Sequence, residues 1–212
     1  MLKHIVAGAG LLALAAGAEA RPVSYEGGWT AIAETDRASS ALWVHYTPHY
    51  EWSVGGRVEW MRDRDLVFTG AQATHLVHRR FRPDSQGNLY AFAGVGVAEG
   101  IDTNPRGAEA AGFVGVMADW ETRRWFVSWE ARLADFGDGG EAMQAARVGW
   151  APYEGDFGDL HTWFMLEVDQ RPQRDEPVTV TPLVRFFKGP VLLELGYTPA
   201  DEKPFASLIY RF

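Results

Sequence analysis

The chain has no cysteine. That excludes a disulfide scaffold, a thiolate metal site and a lipid-modified N-terminal cysteine. Positive charge is in deficit too: 20 Lys and Arg stand against 28 Asp and Glu, a formal charge of −8. Such a balance argues against nucleic acid as a partner. After the first twenty residues no apolar run approaches the ~20 residues that a spanning helix needs. Long linkers, low-complexity tracts and clear repeats are also missing. The rest of the chain is enough for one domain, which is either soluble or crosses a membrane as strands.

The opening twenty residues, MLKHIVAGAGLLALAAGAEA, place Lys3 ahead of an apolar run from Ile5 to Ala18 and end on Ala18-Glu19-Ala20. This is the pattern of a secretory signal peptide with a small-x-small cleavage site. Residues 1–20 are therefore expected to leave, and residues 21–212 to form a single domain starting at Arg21. Lys3 and Glu19 leave together, so the charge stays at −8 with 19 basic and 27 acidic side chains.

What is abundant is aromatic and small: nine Trp, seven Tyr, twelve Phe and 23 Gly. Their placement has period two. From Tyr50 to Arg62, Tyr50, Trp52, Val54, Val58 and Trp60 alternate with Glu51, Ser53, Arg57 and Glu59. Trp125, Val127, Trp129, Ala131 and Leu133 alternate with Arg124, Ser128, Glu130 and Arg132 in the same way. Val178, Val180, Pro182, Val184 and Phe186 form one face of a later segment, and Val191, Leu193, Leu195 and Tyr197 one face of the next.

Alternation over about ten residues suits a strand with one side in lipid and the other in a lumen. Strands of soluble sandwiches usually run ~5–6 residues. Turn spacing divides the chain into strands at 28–35, 40–47, 50–62, 66–80, 88–98, 109–121, 124–134, 143–151, 160–171, 178–187, 191–198 and 203–212. The expected fold is all-β: a closed antiparallel transmembrane β-barrel of about twelve strands, with ten or fourteen as the alternatives. In such barrels the termini and short turns lie on the periplasmic side. The opposite loops carry the denser charge but are short, which predicts no large folded cap. Trp60, Trp120, Trp125, Trp150 and Tyr197 fall near strand ends, where amphipathic rings suit the headgroup region.

The segment ASLIYRF, with Leu208, Tyr210 and Phe212 on alternate positions, resembles the C-terminal signature of bacterial outer-membrane β-barrel proteins. The resemblance implies that the barrel-assembly machinery reads this strand, which then pairs with the first to close the wall. It also implies outer-membrane lipid as the surroundings and a Gram-negative envelope as the location. The stretches RPVSYEGGWT, DLHTWFML and PVTVTPLVRFFKG are similar to a group of proteobacterial exported proteins, a likeness that brings no activity with it.

The inward positions then carry the functional question. They supply Arg57, Arg124, Arg132, Arg147, Arg185 and Arg211 against Glu51, Glu59, Glu130, Glu167, Asp169 and Glu194. A lumen of this size sits between barrels filled by side chains and open porins, and charge buried there has to be paired. Equal numbers of each sign point to a self-satisfied network more than to an ion-selective lining, which would show an excess of one sign.

For metal, His45 and His49 have matching parity across Pro48, and His161 shares a face with Glu167 and Asp169. His75 and His78, three apart, should point to opposite faces of a strand. These make His45, His49 and His161 the candidates without fixing a site. No serine has a same-face histidine close by. Glu167 and Asp169 could pair as carboxylates, although arginines opposite would answer them equally well. Gly94-Val95-Gly96 with Gly100 is not a phosphate loop, since no helix follows. Pro182 suggests a local bulge.

The reading is a small, porin-like outer-membrane barrel with no cofactor, acting as a narrow channel or a structural envelope protein. Alternatives are a metal-ion or small-solute pore, an outer-membrane hydrolase and a soluble periplasmic ligand-binding barrel.

Overall fold

The computed structural model describes residues 22–137, 139–156 and 158–212; the expected signal peptide lies outside them. Twelve strands follow one another: β1 (Trp29–Thr35), β2 (Ser39–His49), β3 (Trp52–Met61), β4 (Leu66–Phe81), β5 (Ser85–Gly100), β6 (Glu109–Thr122), β7 (Trp125–Asp135), β8 (Gly140–Trp150), β9 (His161–Gln170), β10 (Val178–Lys188), β11 (Val191–Thr198) and β12 (Lys203–Arg211). Each pairs antiparallel with its sequence neighbours, and β1 pairs with β12, so the sheet closes into a barrel. The seam is tied at its end by Trp29 and Phe212, whose N–H and C=O groups exchange two bonds of 2.8 and 3.0 Å. Closure leaves no edge strand, the condition a strand-built wall must meet in lipid.

Period two in the sequence becomes inside and outside. Val95 is 71% exposed and Leu133 62%, whereas Glu59 is 1% exposed. Apolar side chains out and charges in is the inverse of a water-soluble barrel, whose interior would hold the greasy face. This distribution removes the soluble reading. Trp29, Tyr46, Trp52, Trp120, Trp125, Trp150, Tyr210 and Phe212 face outward near the end that carries the short turns and both described termini. Trp60 and Tyr197 do so at the loop end. These are the two aromatic bands expected at membrane–water boundaries.

Most connections at the terminal end are short, as in the tight β10–β11 turn where Gly189 takes φ +57°, a conformation most side chains disfavour; the exception is the β8–β9 connection, residues 151–160. The other end carries the connections 36–38, 62–65, 101–108, 136–139, 171–177 and 199–202. These short loops nevertheless fold over the barrel mouth.

Three local expectations need correction. The β2–β3 register shifts between Tyr46 and His49. His45 therefore points inward while His49 pairs with outward-facing Trp52, and the two histidines do not share a face. A second shift between Leu76 and His78 adds Val77 to β4. It returns His78 to the outward side with His75, against the simple i, i+3 rule. In each case extra residues on one strand reset the alternation that the rule assumes. At Pro182 there is no bulge: the register with β9 runs straight through it. The β10–β11 ladder begins at Leu183, so the missing proline donor falls at the ladder's end.

Candidate functional site in the lumen

Charged rungs cross the middle of the barrel. On β3, Arg57 and Glu59 are two residues apart and so share the inner face; the guanidinium donates to Glu59 Oε2 at 2.7 and 3.0 Å. From β7, Arg132 reaches the same carboxylate with both terminal nitrogens, at 3.1 and 3.3 Å. Since β3 and β7 are four strands apart, this forked pair spans the lumen as a chord. Glu59 thus answers two arginines.

A second rung links four neighbouring strands. Arg147 on β8 donates to Glu167 on β9 at 2.6 Å and to Glu194 on β11 at 3.0 Å, and Arg185 on β10 donates to Glu194 at 2.7 Å. Register brings Arg147 opposite Glu167 and Arg185 opposite Glu194. The Arg147–Glu194 bond has to reach past two intervening strands, and barrel curvature supplies it. Removing such charges from water costs several kcal/mol per ion, recovered only with good geometry and further hydrogen bonds. Planar arginines fit this arrangement because they fork onto carboxylates and stack on rings. Arg57 lies 4.7 Å from the Trp43 ring centre, Arg185 4.6 Å from Phe126 and Arg147 5.4 Å from Phe205.

Apolar layers occupy the spaces between rungs. Met61, Leu66, Phe68, Phe113 and Phe136 cluster towards the loop end, with Phe68 edge-on to Phe113 and Phe136 at 5.7 Å. Inward glycines make room for these rings: a Cβ at Gly94 would fall within the Phe113 ring and one at Gly115 within Phe92. Phe126, Met165, Leu183 and Phe205 form another layer. At the terminal end, residues 22–24 turn into the lumen. Val23 packs on Leu76 and Tyr90, the Pro22 carbonyl accepts from Ser53 Oγ at 2.6 Å, and Ser24 N–H donates to Thr47 Oγ1 at 3.3 Å.

The loop end is closed by ion pairs. Arg174, in the 171–177 connection, meets Asp63 at 2.7 Å, six strands away around the wall. Arg171 meets Asp36 at 2.6 Å and Asp169 at 3.2 Å. Arg37 meets Asp169 and Asp201, each at 3.1 Å, and Arg64 meets Glu141 at 3.0 Å. Burial alone would raise the Asp36 carboxyl; the Arg171 charge and the N–H groups of Ser39 and Ala38, at 2.6 and 2.7 Å, outweigh it and hold the group below its ordinary value.

The inward residues anticipated from the sequence divide by position. Arg57, Glu59 and Arg132 come together, as do Arg147, Glu167, Arg185 and Glu194. Asp169 joins the loop-end lattice instead. Glu130 faces inward, half-buried, with no ion pair among the described residues. Arg211 lies across β1 from His45, with Thr30 between them in register. Two placements are corrected: Glu51 sits in the β2–β3 turn, 3.8 Å from exposed His49, and Arg124 in the β6–β7 turn donates to the Ala151 and Pro152 carbonyls at 3.2 and 2.7 Å. Both lie beyond the strand ends, where alternation no longer dictates direction.

The metal candidates do not converge. His45 is buried beside a void too small to seat a water. His161 packs on Phe187 at the foot of β9, six residues and therefore roughly 20 Å along the strand from Glu167. No group of three potential ligands forms among the described residues. Ser128 stands opposite Arg147 and Asp119, without a histidine in the row.

Sequence reading missed the loop members Asp36, Arg37, Asp63, Arg64, Glu141, Arg171, Arg174 and Asp201. Only the charge density of those loops pointed to them. It also missed a polar cluster in which Asn88 accepts from Arg79 at 2.7 Å and donates to Asp119 at 2.5 Å.

No protein-family model matches the sequence, and no curated protein matches it. Among solved structures, a KdgM porin in complex with disordered oligogalacturonate superposes with a TM-score of 0.50 at 9% identity, covering 87% of this chain and 98% of the porin. A second KdgM porin structure gives 0.47 at 9% identity over the same shares. The fold is that of an outer-membrane porin. At this identity the likeness concerns architecture alone; the lumen has to be read from its own residues.

Proposed function

We propose that this protein is a bacterial outer-membrane barrel, exported through a cleaved signal peptide and closed by the assembly machinery. Its charge-paired lumen is filled at rest, so it serves the envelope as a membrane-embedded structural barrel and not as an open diffusion pore. The observation that carries this reading is the forked Arg132–Glu59 pair spanning β7 to β3. The second rung, the inturned residues 22–24 and the ion-paired loops support the same conclusion.

A second reading, a narrow channel, is favoured by the porin architecture. Under it the rungs yield to let small solutes pass. The oligogalacturonate of the porin complex does not carry over: a polyanionic sugar calls for unpaired positive charge along the lining, whereas Arg57, Arg132, Arg147 and Arg185 already meet carboxylates. Planar-bilayer recording of the purified chain separates the two readings. A silent membrane across a range of salt concentrations is expected; regular current steps would overturn the filled-lumen reading in favour of the channel. Recovery in the outer-membrane fraction with heat-modifiable gel migration checks the location.

A further inference from the structure

The lipid-facing wall is interrupted between β8 and β9. β8 and β9 pair only from Trp150↔Phe164 up to Gln144↔Gln170. Residues 140–143 therefore have β7 on one side and no strand on the other. A side chain takes over the missing ladder: the Gln173 amide, oriented to satisfy both groups, meets the Ala142 N–H and C=O at 2.7 and 3.0 Å. Beside this gap lies an apolar groove of about 440 Å³, lined on its lipid side by Val114, Val116, Ala131, Leu133, Ala142 and Pro172. Alanines at 131 and 142 make the hollow, and the larger side chains wall it. It lies in the loop-end half of the belt and is continuous with it.

At the rim of the groove is a short chain of polar side chains. Trp129 Nε1 donates to Gln144 Oε1 at 3.4 Å, and Gln144 Nε2 to Gln170 Oε1 at 2.5 Å. The chain of bonds stops there, because the Gln170 amide nitrogen has no acceptor among the described residues. In hydrocarbon an unmet N–H costs several kcal/mol. An occupant that combines a hydrocarbon chain with an oxygen acceptor near its polar end would satisfy both parts of the site.

We propose that this groove seats one acyl chain of a lipid from the loop-end leaflet, with an ester, amide or hydroxyl oxygen of that lipid accepting from the Gln170 amide. The proposal rests on the membrane reading above and adds a particular lipid seat to it. The test uses the full chain in vesicles of phosphatidylethanolamine carrying a photoactivatable acyl chain, with adducts mapped by mass spectrometry. Adducts are expected several-fold enriched around Ala131, Leu133 and Ala142 relative to Val54 and Val180 elsewhere on the belt. Ala131→Trp should abolish that enrichment. Gln170→Leu, which leaves the groove open, should lower it by roughly two- to tenfold, the worth of one hydrogen bond. Even labelling around the belt would overturn the proposal, as would cross-links joining two copies of the chain through the groove. Absence of labelling at Val54 and Val180 as well would remove the membrane placement and the lipid seat with it.

Discussion

Arg174 and Asp63 meet at 2.7 Å although their loops leave the wall on opposite sides of the barrel, six strands apart. The 171–177 connection consequently lies across the mouth as a strap, held at its root by Arg171 on Asp36 and Asp169. The Asp63 side chain is 43% exposed, and exposed pairs of this kind are worth little in stability. Asp63→Ala should lower global stability by less than about 1 kcal/mol yet speed tryptic cleavage after Arg174. Unchanged cleavage would mean the strap is held by its other contacts alone.

Deeper in the lumen the balance reverses. Glu59→Gln leaves Arg57 and Arg132 facing each other without the carboxylate that bonds to both. Breaking a buried pair in this way costs about 3–5 kcal/mol. Arg132→Met should cost less, because Arg57 continues to neutralise Glu59 at 2.7 Å. Unfolding midpoints in denaturant, followed by heat-modifiable migration, rank the two variants; equal losses would show that the Arg57 contact contributes nothing.

Acid should act at the loop end. Asp36 is held below its ordinary value of 3.8 in the folded chain. Its contribution is therefore fully present above the unfolded-state value and is lost as pH falls through the lower folded one. Asp36→Asn should be less stable at neutral pH and should flatten the stability profile below about pH 4. Unfolding midpoints across that range for both proteins test the sign. A variant profile as steep as the original would assign acid sensitivity to other carboxylates.

Gly94 gives a packing prediction. Any side chain there enters the space of the Phe113 ring, and overfilling a packed interior typically costs about 1–3 kcal/mol. Gly94→Ala should be destabilising by that amount, and Gly94→Ala with Phe113→Leu should recover part of it. Gly56, whose added Cβ would meet nothing within 4 Å, is the control and should accept alanine with little change.

The barrel was legible because its strands are long and half of every strand must satisfy hydrocarbon. Val178, Val180, Pro182, Val184 and Phe186 keep one parity through a whole strand, as do Trp125 to Leu133, and the structure turns both sets outward. Legibility failed at His45/His49 and His75/His78, where bulges insert residues that composition does not announce. It failed again at Glu51 and Arg124, which lie just past strand ends. Parity identified the inward charges in the strands but not their partners. Arg147 and Glu167 are neighbours by register; Arg147 and Glu194, or Arg132 and Glu59, meet only because the sheet curves round on itself.

The sequence by itself determined an antiparallel wall of about twelve strands with an apolar outside and a charged inside, because alternation is a local property of the chain and the half of each strand that meets lipid must be apolar. The tertiary structure alone decided that the inside is crossed and filled, that short charged loops close over its mouth, and that the wall opens a groove between β8 and β9. Those outcomes depend on distances between residues up to half a barrel apart, which closure fixes and no local pattern encodes.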